Sequence, residues 1–109
     1  MVRNGNANFA VIYYPLSQEM FWAKEGYGAF LNDKPIEPSS KTSLGDMVAV
    51  FEYTHHYTKT EGLYQKIGTS VGDLLENFGV VRNYGPHGLQ LAYVGAGRID
   101  LFHLKIWEQ

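Results

Sequence analysis

Cysteine is absent from this chain, which excludes disulfide staples, thiolate nucleophiles and sulfur-ligated metal centres. Charge is sparse as well: nine Lys and Arg against eleven Asp and Glu give a formal net charge of −2, and neither sign forms a run. A nucleic-acid footprint or a basic membrane-facing surface needs clustered Lys and Arg, so neither nucleic acid nor membrane is expected as a partner. No apolar stretch reaches the roughly 18 residues of a spanning helix, and no leader-type segment opens the chain. The expected address is therefore the cytoplasm. Proline occurs only four times, and three of those positions, Pro15, Pro35 and Pro38, fall where the apolar patterns stop.

What is present is the material of one small folded domain: 109 residues, 45% hydrophobic and 15% aromatic, enough to bury a core. "NFAVIYY", Asn8 to Tyr14, is β-branched and aromatic and is closed by Pro15. Glu19 to Ala23 and Ala29 to Asn32, parted by the Gly26-Tyr-Gly28 turn, read as a hairpin. The polar, Ser-rich stretch around "EPSSKTS" is the one internal linker. The expected organisation is a strand and hairpin region over residues 1–36 completing a first sheet, a linker over 37–46, and an α/β subdomain over 47–109.

In that second part "MVAVFEY", Met47 to Tyr53, reads as a buried strand and "THHYTKT" as a loop. A helix follows, with Thr58 and Glu61 as a capping box and Leu63, Ile67, Val71, Leu74, Leu75 and Phe78 on one face. Gly79 ends it as a left-handed C′ residue. Val80 to Tyr84 is a short strand, His87 to Ala96 a second helix, and Ile99 to His103 a last strand. Strand, helix, strand, helix, strand predicts layered sheets and helices of the α/β class. The second helix is apolar almost all round, which predicts burial between two layers. Both ends of the chain look like cuts through a larger fold.

The turn "GPHG", Gly85 to Gly88, opens the second helix. Helix N-termini hold anions because their first N–H groups lack partners, but glycine turns also simply start helices. His55 and His56 point different ways in an extended chain and lack a third ligand. Aromatic residues Tyr13, Tyr14, Phe21, Trp22, Tyr27 and Phe30 are expected in a core or subunit contact. Arg82 and Arg98 either meet phosphate or pair with Asp100, the ion pair being the ordinary fate.

Three stretches, in order, carry a family resemblance: Val11 to Ile36, "VIYYP…EMFWAKEGYGAFLNDKPI"; Arg82 to Asp100, "RNYGPHGLQLAYVGAGRID"; and Leu104 to Glu108, "LKIWE". Together they resemble the C-terminal portion of the inositol monophosphatase family of magnesium-dependent sugar and polyol phosphatases, whose patterns Gly-x-Gly-Ala-Phe-Leu-Asn, Gly-Arg-x-Asp and Leu-Lys-x-Trp followed by an acidic residue they echo.

The resemblance implies that fold, a small phosphorylated substrate, and a homodimer in the full-length parent. It implies substrate contacts from Gly85, His87, His103 and Lys105 and a magnesium ligand at Glu108. No catalytic residue is carried over, because the family's acidic pair and Asp-Pro-Ile-Asp-Gly-Thr motif have no counterpart in this chain. The chain alone is therefore expected to be inactive and to bind magnesium weakly. Glu108 stands where the family has Asp, the loop before it is about three residues short, and Pro86 replaces a hydroxyl residue and removes one N–H donor. The alternatives are a non-catalytic phosphatase-derived remnant or interaction module, and a nucleotide or fructose bisphosphatase of the same superfamily.

Overall fold

The computed structural model describes residues 1–54 and 62–106. The capping box of Thr58 and Glu61, the histidines His55 and His56, and Glu108 lie outside the described residues.

A small hairpin comes first, β1 (Val2–Arg3) and β2 (Asn6–Ala7), unforeseen although its signal is in the sequence. Asn4 and Gly5 both take positive φ, 53° and 79°, the requirement of the tight hairpin turn that Asn-Gly favours. Four antiparallel strands then follow in spatial order: β3 (Phe9–Tyr14), β4 (Glu19–Lys24), β5 (Gly28–Leu31) and β6 (Lys34–Pro35). Register sorts their side chains. Ile12, Phe21 and Leu31 stand in line on one face, and Val11, Trp22 and Phe30 on the other, because strand side chains alternate. Trp22 stacks on Phe30 at 4.4 Å between centroids, and Phe21, on the other face, is buried at 4% exposure.

A 3₁₀ turn, Leu44–Asp46, leads to β7 (Val48–Thr54), α1 (Leu63–Asn77), β8 (Val80–Arg82), α2 (His87–Gly95) and β9 (Leu101–Ile106). The three strands are parallel in the order β8-β7-β9. The chain steps one way from β7 to β8 and back across to β9, so right-handed crossovers put α1 and α2 on opposite faces. The layers are the four-stranded sheet, α2, the parallel sheet, and α1. Ala49, Val50, Phe51 and Ile99 form the buried centre of the second part.

The second helix occupies the expected place between layers. Leu89 and Ala92 are buried with Phe21, and Ile12, Tyr14, Leu31 and Ile36 pack around them. Its apolar character is not wholly used: Leu91 is 55% exposed. On α1 the buried residues are Leu63 and Leu74, while Leu75, expected on the inner face, is exposed. It lies about 100° round the helix from Leu74, beyond the narrow stripe that β7 and β8 cover.

Three boundaries depart from expectation for identifiable reasons. Gly79 does not adopt a left-handed conformation. Its N–H and that of Val80 both donate to the Met47 carbonyl, drawing the chain straight into β8; glycine is required because a Cβ would lie 2.2 Å from the Gly45 carbonyl oxygen. The last strand starts at Leu101 rather than Ile99, since Arg98 and Ile99 donate to the Tyr93 carbonyl in closing α2 and Asp100 N–H donates to Val48. Arg98 pairs with Glu19 instead of Asp100. That contact is bidentate, with Nη1 at 3.1 Å from Oε1 and Nη2 on Oε2, and the guanidinium covers the rings of Phe21 and Tyr93.

Asp100 instead fastens the linker. Its Oδ2 accepts from Val48 N–H at 2.7 Å and from Lys41 Nζ at 3.0 Å. Burial pushes this carboxyl up, but the nearby Ser39 hydroxyl, the Val48 N–H and Lys41 outweigh it and hold it below the usual carboxylate range. Hydrogen bonds from Arg98, then Ser17, lower Glu19 likewise.

Two outcomes follow. Gly79→Ala is expected to cost about 2–3 kcal/mol in urea unfolding, the upper part of the range for steric overpacking. Both carboxyls titrate lower folded than unfolded, so their stabilisation is complete above the ordinary carboxylate range and is lost as pH falls through the depressed values. Thermal midpoints measured from neutral pH downward should drop below pH ~4, and Asp100→Asn should flatten part of that drop.

Candidate functional site

The C-terminal ends of parallel strands are where open α/β sheets place their sites, at the crevice between neighbours whose connections leave on opposite faces. Here β7 runs on toward α1 and β8 toward α2, so the crevice opens between β7 and β8. Glu52 projects there from β7 on the α2 face, in line with Val50, and Asn83 follows β8 directly.

Four side chains meet at this point. Gln90, fully buried on the first turns of α2, accepts the Tyr84 N–H through Oε1 at 2.9 Å and donates through Nε2 to Glu52 Oε2 at 3.4 Å. One amide thus reads both neighbours, and only this orientation satisfies a donor on one side and a carboxylate on the other. Asn83 donates to Glu52 Oε1 at 3.4 Å and accepts the Gly85 N–H at 2.8 Å. His87 Nε2 stands 3.9 Å from Glu52 Oε2. Gly85 takes φ +93°, a conformation that side-chain-bearing residues rarely adopt. The turn into α2 is therefore fixed by backbone conformation and by two amide side chains.

The helix begins without a side-chain cap. Pro86 is its N-cap, so the N–H groups of His87, Gly88 and Leu89 have no acceptor within the helix. The Glu52 carboxylate stands against the Gln90 and His87 side chains of the same helix start, where negative charge is favourable.

Of the residues singled out in the sequence, Gly85 and His87 come together in this turn. His103 does not join them. It pairs in register with Phe51, on which its ring stacks at 5.6 Å, so it belongs to the opposite face of the sheet from Glu52 and His87. In the register Lys105 stands beside Tyr53 near the C-terminal end of β9. Among the described residues no three His, Asp or Glu side chains converge as a metal site, and Glu52 is already engaged by Asn83 and Gln90.

Sequence reading missed Glu52, Asn83 and Gln90. The usable signal was a carboxylate inside the apolar strand "VAVFEY" and an amide inside the apolar helix "GLQLAYV", since polar groups in apolar elements are retained only with partners.

Comparison with known proteins agrees with this architecture. The family model described as the inositol monophosphatase family matches residues 1–107. An inositol-1-monophosphatase of Rhizobium meliloti is 33% identical over 107 residues, covering 98% of this chain and 38% of the relative. A fructose-1,6-bisphosphatase/inositol-1-monophosphatase of Thermotoga maritima is 32% identical over 101 residues, covering 93% and 36%. The crystal structure of extragenic suppressor protein suhB from Bartonella henselae superposes with a TM-score of 0.79 at 32% identity over 92% of this chain and 37% of that one. The chain thus spans less than two fifths of the length of these relatives.

Replacing Gln90 by Leu keeps the volume but strands the Tyr84 N–H and part of the Glu52 carboxylate, at about 1–3 kcal/mol for each buried group left unpaired. Chemical denaturation should register that loss, and NMR amide exchange at Tyr84 and Gly85 should accelerate by more than the global destabilisation accounts for.

Proposed function

This chain belongs to the inositol monophosphatase family, and we propose that it is the C-terminal portion of a magnesium-dependent phosphomonoesterase acting on a small phosphorylated polyol or sugar. The observation that carries the reading is the family match through residue 107 together with the rigidly held Gly85–His87 turn at the C-terminal edge of the parallel sheet.

Within that reading Gly85 and His87 contact the substrate. What they contact is its hydroxyl-bearing body and not its phosphate, because the Glu52 carboxylate beside His87 repels a second anion and Pro86 removes a donor. An imidazole N–H can donate to a sugar oxygen. Lys105 is assigned to the substrate by family resemblance alone. His103 serves packing against Phe51.

Magnesium requires near-octahedral oxygen ligands, and the described residues do not supply them as a group. Glu108 is assigned as one ligand by family resemblance, and its partners would come from carboxylates beyond the three matched stretches.

The test is genetic and biochemical. DNA upstream of the codon for Met1 should encode, in frame, an acidic pair and an Asp-Pro-x-Asp-Gly motif, and the joined polypeptide should hydrolyse an inositol phosphate only with magnesium. An upstream frame lacking those motifs would reduce the chain to a non-catalytic remnant. Calorimetric titration of the 109-residue chain with magnesium chloride is expected to show no saturable binding below the millimolar range; tight binding would mean that the ligand set lies within the chain after all.

A further inference from the structure

The six asparagines of the chain differ in what holds their side-chain amides. Asn32 accepts the Met20 N–H through Oδ1 at 2.9 Å and donates to the Gln18 carbonyl at 3.5 Å. Asn83 is held between the Gly85 N–H and Glu52, and Asn77 donates to the Asp73 carbonyl at 2.7 Å. Asn6 and Asn8 precede Ala7 and Phe9, whose side chains crowd the following backbone nitrogen. Asn4 alone precedes a glycine. Both Asn4 and Gly5 are exposed, and among the described residues neither makes a hydrogen bond.

We propose that Asn4 is a site of spontaneous deamidation, in which the Gly5 backbone nitrogen displaces the side-chain amide. Hydroxide removes the Gly5 N–H proton, and the nitrogen attacks Asn4 Cγ. A C–N bond forms as the Cγ–Nδ2 bond breaks; the departing nitrogen takes a proton from water, regenerating hydroxide, and leaves as ammonia. Water then adds to one or other carbonyl of the five-membered succinimide and opens it to aspartate or isoaspartate. Water is the only co-reactant, and nothing is oxidised or reduced.

The turn permits each part of this step. Glycine has no Cβ to shield its nitrogen, and a Cβ placed on Gly5 would meet nothing within 4 Å, so hydroxide reaches the N–H freely. The pairing that closes the turn belongs to Arg3 and Asn6. Rotation at the tip therefore gives up no hydrogen bond made by Asn4 or Gly5 themselves. The product alters the hairpin, because isoaspartate adds a backbone carbon to a two-residue turn whose length fixes the register. Either product also adds a negative charge beside Arg3.

The 109-residue chain held in warm buffer over a range of pH, with and without urea, tests this by ion-exchange chromatography and peptide mapping. A form more acidic by one charge should accumulate at a rate proportional to hydroxide, with the change confined to Asn4 and a native rate close to that in urea. Asn4→Gln should lose the acidic form, since the six-membered ring it requires closes far more slowly. In the isoaspartyl product the Asn6 amide should exchange faster than in the unmodified chain. Conversion of Asn4 in urea but not in native buffer would mean that the folded turn protects it. An acidic form mapped to any other asparagine would place the reaction elsewhere. Either result overturns the proposal, whether or not the variant folds.

Discussion

A single short helix serves two sheets, and most of the structure follows from that constraint. Leu89, Ala92, Tyr93 and Ala96 recur at helical spacing and face the first sheet. Gln90, one residue on from Leu89 and so about 100° round the axis, faces the second and is as completely buried. Sliding α2 toward either sheet would open apolar surface on one side or break the Gln90 contacts to Tyr84 and Glu52 on the other. Arg98 closes the arrangement just beyond the helix, with its charge on Glu19 and its flat face over Phe21 and Tyr93. A guanidinium can do both at once, whereas an ammonium could not reproduce the paired geometry.

The linker is part of the same construction. Lys41 and Ser39 are drawn to Asp100, and the Glu37 carbonyl lies so near Gly97 that a Cβ there would come within 2.9 Å of it. Composition marks residues 37–46 as polar and Ser-rich, which is true of a hinge and equally true of a strap whose backbone groups must find side-chain partners. Sequence alone does not separate these, because the partner of Lys41 lies 59 residues away.

Much of the architecture is nevertheless legible in the chain. Periodicity identifies the β3 to β5 strands, both helices and the alternation that makes the second part α/β, because burial on one face leaves a repeating trace. What is illegible depends on register. Whether His103 shares a face with His87 is decided by which residue of β9 stands beside Phe51, and a shift of one residue would reverse the answer. Arg98 finding Glu19 instead of Asp100 is of the same kind: Asp100 is two residues off, but just before β9 its carboxylate is turned to Val48 and the linker. The Asn4-Gly5 turn differs, for its dipeptide signal is local and could have been read.

The turn at Gly85 combines a fixed backbone with few free donors. Gly85 supplies the left-handed step, and Gln90 and Asn83 accept the N–H groups of Tyr84 and of Gly85 itself, so the entry to α2 is held by side chains. Pro86 fits that entry, since its φ of −67° suits a position that needs no N–H inside the helix. The same residue thins the array of donors available to a ligand, and the Glu52 carboxylate, 3.9 Å from His87, adds negative charge beside the helix start. Firm backbone with reduced positive potential favours neutral, hydroxyl-rich groups over phosphate.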